Sequence, residues 1–199
     1  MNTPAPRPAL ILASTSRYRR ELLERLRLPF EVEAPGVDET PGPQEAPAAL
    51  ALRLALAKAQ AVAERHPQAV VLGSDQVAEL DGQPMGKPGS HERAVEQLGR
   101  LSGRRVVFHT AVAVVRRDLG VAEAALSPVT VQFRSLSTAE IERYLRLDTP
   151  YDCAGSAKSE GLGVTLLESI ESTDPTSLIG LPLTLSCALM RRAGLEPLA

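Results

Sequence analysis

Two periodicities of apolar and polar positions run along the chain, and together they predict an α/β protein. Runs of strand length, either apolar or alternating, occur at 9–13, 29–33 and 69–72. Segments with apolar residues at helical spacing occur at 17–28, 47–65 and 90–101. Strands that alternate with amphipathic helices in this way are typical of a sheet flanked by helices.

The second half of the chain begins with two long apolar stretches and ends with a helix. Residues 105–115 and 121–133 predict a β-hairpin that crosses the sheet, with its turn at 116–120. Ser137 or Thr138 caps a following helix, and the glycine-rich segment 153–163 precedes a predicted strand at 164–167 and a last helix at 183–193. No internal repeat or long linker divides the chain. We therefore predict one domain over residues 1–199, with 1–7 as a frayed tail.

The stretch that carries the densest chemistry is 69–88. Its apolar strand is predicted to end at Gly73, so that Ser74, Asp75 and Gln76 follow at the edge where α/β sheets usually bind ligands. The tripeptide Gly-Lys-Pro then places Lys87 on a stiffened loop. A carboxylate beside a returning lysine suits a metal-bound phosphate ester better than a hydrophobic core.

Three further features each allow a functional and an ordinary interpretation. Ser14 and Arg19 flank the start of the first helix, which is either an anion site or a capped surface helix with solvated arginines. Glu39 lies in a proline-rich loop, where it is either solvated or shares a divalent cation with Asp75. Lys58 interrupts an apolar helix, so it either extends to the surface or reaches into a site.

Composition and charge narrow the class of protein. The net charge of −2 with no basic block argues against a nucleic-acid partner, and no apolar run approaches the roughly 18 residues of a membrane span. The two cysteines and three histidines form neither a disulfide framework nor a metal pattern. We predict a soluble globular protein without a signal peptide, in a reducing, cytoplasmic location. Only three of the 22 basic residues are lysines, which can mark places that need a compact point charge.

Known phosphate motifs do not account for these residues. The segment from Gly82 to Lys87 has the wrong glycine spacing for a Walker loop, and neither a dinucleotide fingerprint nor a nucleophile elbow is present. The remaining polar set is dispersed and consists of Ser14, Arg19, Glu39, Lys58, Asp75 and Lys87. Carboxylates with separated cations fit metal-assisted attack of water on a phosphoanhydride.

These residues also carry a resemblance that runs collinearly from about residue 9 to the C-terminus. The segments LILASTSRYRRELL, GSDQVA, GKP and AGSAKSEGLG, with Asp38-Glu39 and Lys58, resemble the Maf family of nucleoside triphosphate pyrophosphatases. The resemblance implies a mixed, curved sheet flanked by helices, like inosine triphosphate pyrophosphatases, with a central cleft between two lobes. It also implies cleavage between the α and β phosphates with Mg²⁺ or Mn²⁺, and a homodimer. The family is linked to septum formation as well, so a non-catalytic regulator is an alternative.

Roles follow from the resemblance position by position. Asp75 would accept the proton of the attacking water, and Glu39 and Asp75 would hold the metal. Lys58, Lys87 and Arg19 would grip the triphosphate, with Lys87 also stabilising charge on the leaving pyrophosphate. Ser14 would add a hydroxyl contact.

Three departures from the commoner family pattern concern substrate choice. Tyr18, Gln76 and Glu160 resemble the branch that prefers 7-methyl-GTP; the alternatives are dTTP, UTP or another modified nucleotide. The methylated base is a cation, which an aromatic face at Tyr18 would attract by roughly 0.5–2 kcal/mol. Glu160 would accept from the guanine N1–H and N2 amine. The ordinary interpretation of Tyr18 is a half-exposed surface tyrosine.

Overall fold

The computed structural model describes residues 7–198, which form one mixed sheet with helices on both faces. The strands are β1 (Leu10–Ala13), β2 (Glu31–Val32), β3 (Val70–Leu80), β4 (Gln83–Met85), β5 (Arg105–Arg116), β6 (Val121–Phe133) and β7 (Leu167–Glu171). The helices are α1 (Arg17–Glu24), α2 (Pro47–Ala63), α3 (His91–Leu101), α4 (Thr138–Asp148) and α5 (Leu183–Arg192). Short 3₁₀ turns lie at Arg117–Leu119, Ala154–Ser156 and Leu162–Leu166.

The sheet has the order β2-β1-β3-β5-β6-β7, and β4 pairs with β3 outside this path. β1 is parallel to β2 and β3, whereas the remaining pairs are antiparallel. The predicted mixed sheet flanked by helices and the predicted hairpin are confirmed. Within the described part of the chain, no helix has the length and apolar character needed to cross a membrane.

β3 does not end at Gly73, and this corrects the sequence prediction. Pairing with β1 stops at Ala13–Gly73, but β3 continues along β5 to Leu80, so Asp75 lies inside a strand. Gly73 does not end β3 but allows α2 to pack closely against it. A Cβ at position 73 would lie 2.3 Å from the Ala55 carbonyl oxygen and 2.7 Å from the Ala59 nitrogen of α2. Glycine at this position therefore lets the α2 backbone contact the strand.

Three apolar clusters pack against the sheet. Two of them, around β1 and the first half of β3, form one lobe, and the third, around the far half of β3, β5 and β6, forms the other. α2 packs on one face with small residues such as Ala51 and Ala55, and α1 and α5 cover the opposite face around Leu72. α3 and α4 cover the far half of β3, β5 and β6 around Phe108 and Phe133. Side chains alternate across a strand, so successive β3 residues face different helices.

Several element boundaries differ from the prediction. α1 ends at Glu24 instead of residue 28, because Arg27 adopts a left-handed φ of 54° and Pro29 follows. The strand predicted at 164–167 is a 3₁₀ turn followed by β7, and Thr165 Oγ1 closes that turn by donating to the Leu162 carbonyl. α2 ends at Ala63, two residues before its predicted end at residue 65. Of the two candidate caps for α4, Ser137 is the one that accepts from the helix backbone, and Ser16 and Ser90 cap α1 and α3 in the same way.

The predicted tail is only partly within the described residues. Positions 1–6 lie outside them. Arg7, which the prediction includes in the tail, is tied to the other end of the chain, because its guanidinium donates to the Glu196 carbonyl at 2.7 Å. The prediction of a frayed tail is therefore wrong at Arg7.

Candidate active site

A cavity of about 840 Å³ lies between the two lobes, and residues from both line it. Leu50 and Leu54 of α2 lie on one side, and Met85 and Phe108 of the far cluster lie on the other. All nine predicted site residues contribute to its wall: Ser14, Tyr18, Arg19, Glu39, Lys58, Asp75, Gln76, Lys87 and Glu160. The structure thus brings together segments that are far apart in sequence, while the role of each residue stays a prediction.

The most ordered part of the cavity is a buried ammonium between two carboxylates. Lys58 is only 5% exposed, and its Nζ lies 2.6 Å from Asp75 Oδ1 and 2.7 Å from Glu39 Oε1. The alternation of β3 turns Asp75 toward α2, where Lys58 sits, and the loop before α2 brings Glu39 to the same ammonium. Lys58 therefore reaches into the site and does not extend to the surface.

Two more cations, Arg19 and Lys87, line the same cavity as these three residues. We call Arg19, Glu39, Lys58, Asp75 and Lys87 together the ionic group. Burial would raise the pKa of Glu39, but the hydrogen bond from Lys58 and the charges of Lys58, Lys87 and Arg19 hold it below its ordinary value. Burial lowers the pKa of Arg19, while the negative charges of Asp75 and Glu39 act against that shift. The three neighbouring cations therefore stabilise the ionised form of Glu39.

The two carboxylates suit a divalent cation whose other ligands are supplied by a bound phosphate and by water. Each carboxylate uses one oxygen for Lys58, which leaves Asp75 Oδ2 and Glu39 Oε2 as candidate ligands. Mg²⁺ is commonly bound by one or two carboxylates together with phosphate oxygens and water. Among residues 7–198, no group of three or more His, Cys, Asp or Glu side chains is arranged to hold a metal.

The start of α1 adds polar groups to the same wall. Ser14 is buried, and its Oγ accepts from the Ser16 amide at 3.1 Å, so its own hydrogen can be donated to a ligand. Ser16 caps α1 by accepting from the Arg19 amide. Arg19 then uses its Nε to donate to the Gly180 carbonyl at 3.0 Å. Within residues 7–198, the terminal nitrogens of its guanidinium make no hydrogen bond, so they are available to an anionic ligand beside the start of α1.

A segment that the sequence prediction missed, residues 177–180, forms another part of the wall and is here called the strap. Gln76 Nε2 donates to the carbonyls of Ser177 and Leu178, each at 3.0 Å, and to Thr110 Oγ1 at 2.9 Å. Ser74 Oγ donates to the Gly180 carbonyl at 3.0 Å. Because side chains alternate along a strand, Ser74 and Gln76 point away from Asp75, and their hydrogen bonds hold the strap.

The sequence offered little signal for the strap. Leu178 and Ile179, which line the cavity, lie in an irregular segment without periodicity. Asp174 anchors its start, because this buried carboxylate accepts from the amides of Thr176 and Thr184, both at 2.8 Å. Asp174 lies nine residues before α5, whose N-cap proline makes no side-chain cap bond, so no local pattern indicated this anchor.

The remaining wall contains Tyr18, Asp152, Cys153 and Glu160, here called the aromatic group. Tyr18 Oη lies 3.3 Å from Asp152 Oδ1 and 3.7 Å from Cys153 Sγ, which links α1 to the opposite lobe. Burial raises the pKa of Tyr18 and raises that of the Cys153 thiol to about 12. Glu160 is exposed at the rim. Asp152 and Cys153 were not predicted, although they belong to the same loop as Glu160.

Arg17 modifies the expected role of Tyr18. Its guanidinium carbon lies 4.7 Å from the centre of the Tyr18 ring, and it donates to Tyr18 Oη at 2.6 Å. One face of the ring therefore already carries a cation. A cationic ligand must use the other face or displace Arg17.

Comparison with known proteins identifies the family of this chain. The family described as Maf-like protein matches residues 9–193. A 7-methyl-GTP pyrophosphatase of Polaromonas sp. is 63% identical over 96% of this chain and 87% of its own length. One of Albidiferax ferrireducens is 60% identical over 95% of each chain. Among solved structures, a Staphylococcus aureus Ham1 protein shares 19% identity over 63% of this chain and 71% of its own, with a TM-score of 0.45. The family match spans nearly the whole chain, and the chain therefore belongs to the Maf-like proteins.

Proposed function

We propose that this protein hydrolyses the α–β phosphoanhydride of 7-methyl-GTP to 7-methyl-GMP and pyrophosphate. The observation that carries the proposal is the meeting of the Glu39 and Asp75 carboxylates on one buried ammonium within a two-lobed cavity. The names of the relatives from Polaromonas and Albidiferax support the substrate. The cavity volume of about 840 Å³ falls in the range of small-molecule sites, roughly 300–1,000 Å³.

The ionic group supplies the parts that anhydride hydrolysis needs. Asp75 takes a proton from water, the water oxygen bonds to phosphorus, and the bridging P–O bond breaks to release pyrophosphate. Lys58 fixes the orientation of the Asp75 carboxylate through its 2.6 Å contact. Arg19 and Lys87 neutralise the phosphate oxygens, where charge increases as the bond breaks.

Glu39 and Asp75 are the residues that would hold Mg²⁺ or Mn²⁺. Such a cation, when bound, polarises phosphate oxygens and lowers the pKa of bound water. The lowered pKa of Glu39 supports this assignment, because an ionised carboxylate binds a hard cation.

The aromatic group would select the base. Glu160 at the rim can accept from the guanine N1–H and N2 amine and attracts the positive charge of a 7-methylated ring. Tyr18 offers the ring face that Arg17 does not cover. Both features favour the methylated base over a neutral pyrimidine.

A nucleotide panel tests the proposal. Pyrophosphate release from 7-methyl-GTP, GTP, dTTP and UTP would be measured with Mg²⁺ or Mn²⁺, and the Asp75→Asn variant would serve as the blank. We expect the largest kcat/KM for 7-methyl-GTP. Equal or better turnover of dTTP or UTP would overturn the substrate, and no turnover of any nucleotide would favour the regulator.

The homodimer is a separate proposal that rests on the family resemblance. Light scattering of the purified protein should give a mass near twice the 21.2 kDa of one chain. A mass of one chain would contradict it.

A further inference from the structure

Glu160 is presented by a tight turn that Lys158 begins. The Gly161 amide donates to the Lys158 carbonyl at 3.1 Å, which closes a turn over residues 158–161 with Glu160 at its third position. The orientation of Glu160 therefore depends on how firmly Lys158 is held.

Lys158 is anchored to α4 through two of its own donors. Its Nζ donates to the Asp148 carbonyl at 2.6 Å, and its backbone amide donates to Tyr144 Oη at 3.1 Å. Tyr144 and Leu145 are buried in the cluster under α4, so this helix is a fixed support. A cation at the last carbonyl of a helix is also favoured by the helix dipole.

Gly161 and Gly163 allow the chain to pack closely against Lys158 and the end of α4. A Cβ at Gly163 would lie 2.5 Å from the Lys158 carbonyl oxygen and 2.6 Å from its amide nitrogen. A Cβ at Gly161 would lie 3.4 Å from Asp148 Oδ1. The backbone of Lys158 is thus enclosed by the end of α4 on one side and by residues 161–163 on the other.

Lys158 differs in location from the other two lysines. Lys58 and Lys87 line the cavity, whereas Lys158 is not part of its lining and directs its ammonium to the end of α4. The contacts of Lys158 therefore connect it to a bound base through the turn that carries Glu160.

We propose that Lys158 is a positioning residue for Glu160 and, through it, a determinant of selectivity for a positively charged purine. The proposal rests on the proposed function, in which Glu160 recognises the methylated base. It assigns Lys158 no contact with the substrate.

A double-mutant cycle tests it with the full-length protein. The selectivity ratio is kcat/KM for 7-methyl-GTP divided by kcat/KM for GTP, measured for wild type, Lys158→Met, Glu160→Gln and the double variant. Because a misplaced carboxylate loses much of a charge-assisted contact, Lys158→Met should lower the ratio about three- to tenfold in the wild-type background. In the Glu160→Gln background it should change the ratio by less than about twofold.

Two further variants keep the result interpretable. Lys158→Arg retains a cationic donor and should keep at least half of the wild-type ratio. Tyr144→Phe removes only the hydroxyl that holds the Lys158 amide, so it should lower the ratio even if Lys158→Met does not fold.

The outcomes separate the two proposals. If Glu160→Gln leaves the ratio unchanged, the role of Glu160 in the proposed function fails. If Glu160→Gln lowers the ratio but Lys158→Met and Tyr144→Phe only lower the melting temperature, the positioning role is overturned. Equal effects of Lys158→Met in both backgrounds would also overturn it.

Discussion

The ionic group and the aromatic group line one cavity but are built differently. Lys58 and Asp75 come from a helix and a central strand, are almost fully buried, and meet at 2.6 Å. Tyr18 meets Asp152 and Cys153, which lie on a loop, at 3.3 and 3.7 Å. Side chains on regular elements with buried partners are held more rigidly than side chains on exposed loops.

This difference suggests a division of labour between the two groups. A preorganised ionic group serves a step common to all nucleoside triphosphates, because the anhydride is the same in each. The aromatic group, three of whose four residues lie on a loop, can change its preference through single substitutions without disturbing the core. Substitutions in the ionic group should therefore lower the rate for every nucleotide or the stability of the fold. Substitutions in the aromatic group should change the ratio of kcat/KM between nucleotides.

The largest effect is expected for Asp75→Asn. The amide keeps the size of the carboxylate but cannot accept the proton of water, so kcat should fall by roughly 10²–10⁴-fold. The fall should be similar for 7-methyl-GTP and GTP, which steady-state kinetics with both nucleotides would show. A selective loss for one of them would break the comparison between the two groups.

Lys58→Met should come next, because it leaves two carboxylates adjacent without their shared cation. Removing one partner of a buried ion pair costs roughly 3–5 kcal/mol. Since Glu39 is more than half exposed and can move into solvent, we expect a loss near the lower limit, about 3 kcal/mol, measured by urea unfolding. Lys87→Met in the same cavity is the matched control, and its exposed side chain should matter little to stability.

Asp174→Asn should weaken the strap in a pH-dependent way. Burial would raise the pKa of Asp174, but the hydrogen bonds from Thr176 and Thr184 hold it below its ordinary value. A carboxylate with a depressed pKa stabilises the fold above its unfolded pKa of about 4, and this contribution is lost as pH falls through the folded pKa.

The variant should therefore be less stable than wild type by about 1–2 kcal/mol at pH 7. The gap should narrow as the pH is lowered below about 4, which thermal unfolding at several pH values would test. A gap that persists unchanged in acid would show that the charge of Asp174 is not what anchors the strap.

Arg17→Ala should have the smallest effect and should sharpen the definition of the aromatic group. The Arg17 guanidinium covers one face of Tyr18 and competes with a cationic base. Its removal should raise the kcat/KM ratio of 7-methyl-GTP to GTP about two- to fivefold, which is the range expected for a cation–π contact at an exposed site. GTP carries the same triphosphate, so loss of general attraction cancels in the ratio.

Arg20→Ala is the control for this change, because Arg20 is exposed on the same helix and pairs with Glu24. It should leave the ratio unchanged. A fall in the ratio for Arg17→Ala would mean that Arg17 orients Tyr18 more than it competes with the base.

Local patterns were sufficient for most of the elements. For the site they were not, because Tyr18, Gln76 and Glu160 were assigned to substrate choice only by the family resemblance, and the strap was missed. Caps such as Ser137 depend on neighbours three residues away, so they can be recognised without the fold. The end of β3 could not be predicted, since Gly73 is also a typical strand terminator. Only the packing of α2 shows that this glycine permits a close contact within a longer strand.

The sequence by itself determined the residue types, the alternation of strands and helices, and a set of polar residues suited to a phosphoanhydride. The tertiary structure decided that Lys58 joins Asp75 and Glu39, that Ser74 and Gln76 hold the strap, and that Arg17 covers Tyr18. The physical reason is range. Propensities and caps act over a few residues, whereas Ser74 meets the Gly180 carbonyl across 106 positions, through packing that no local pattern encodes.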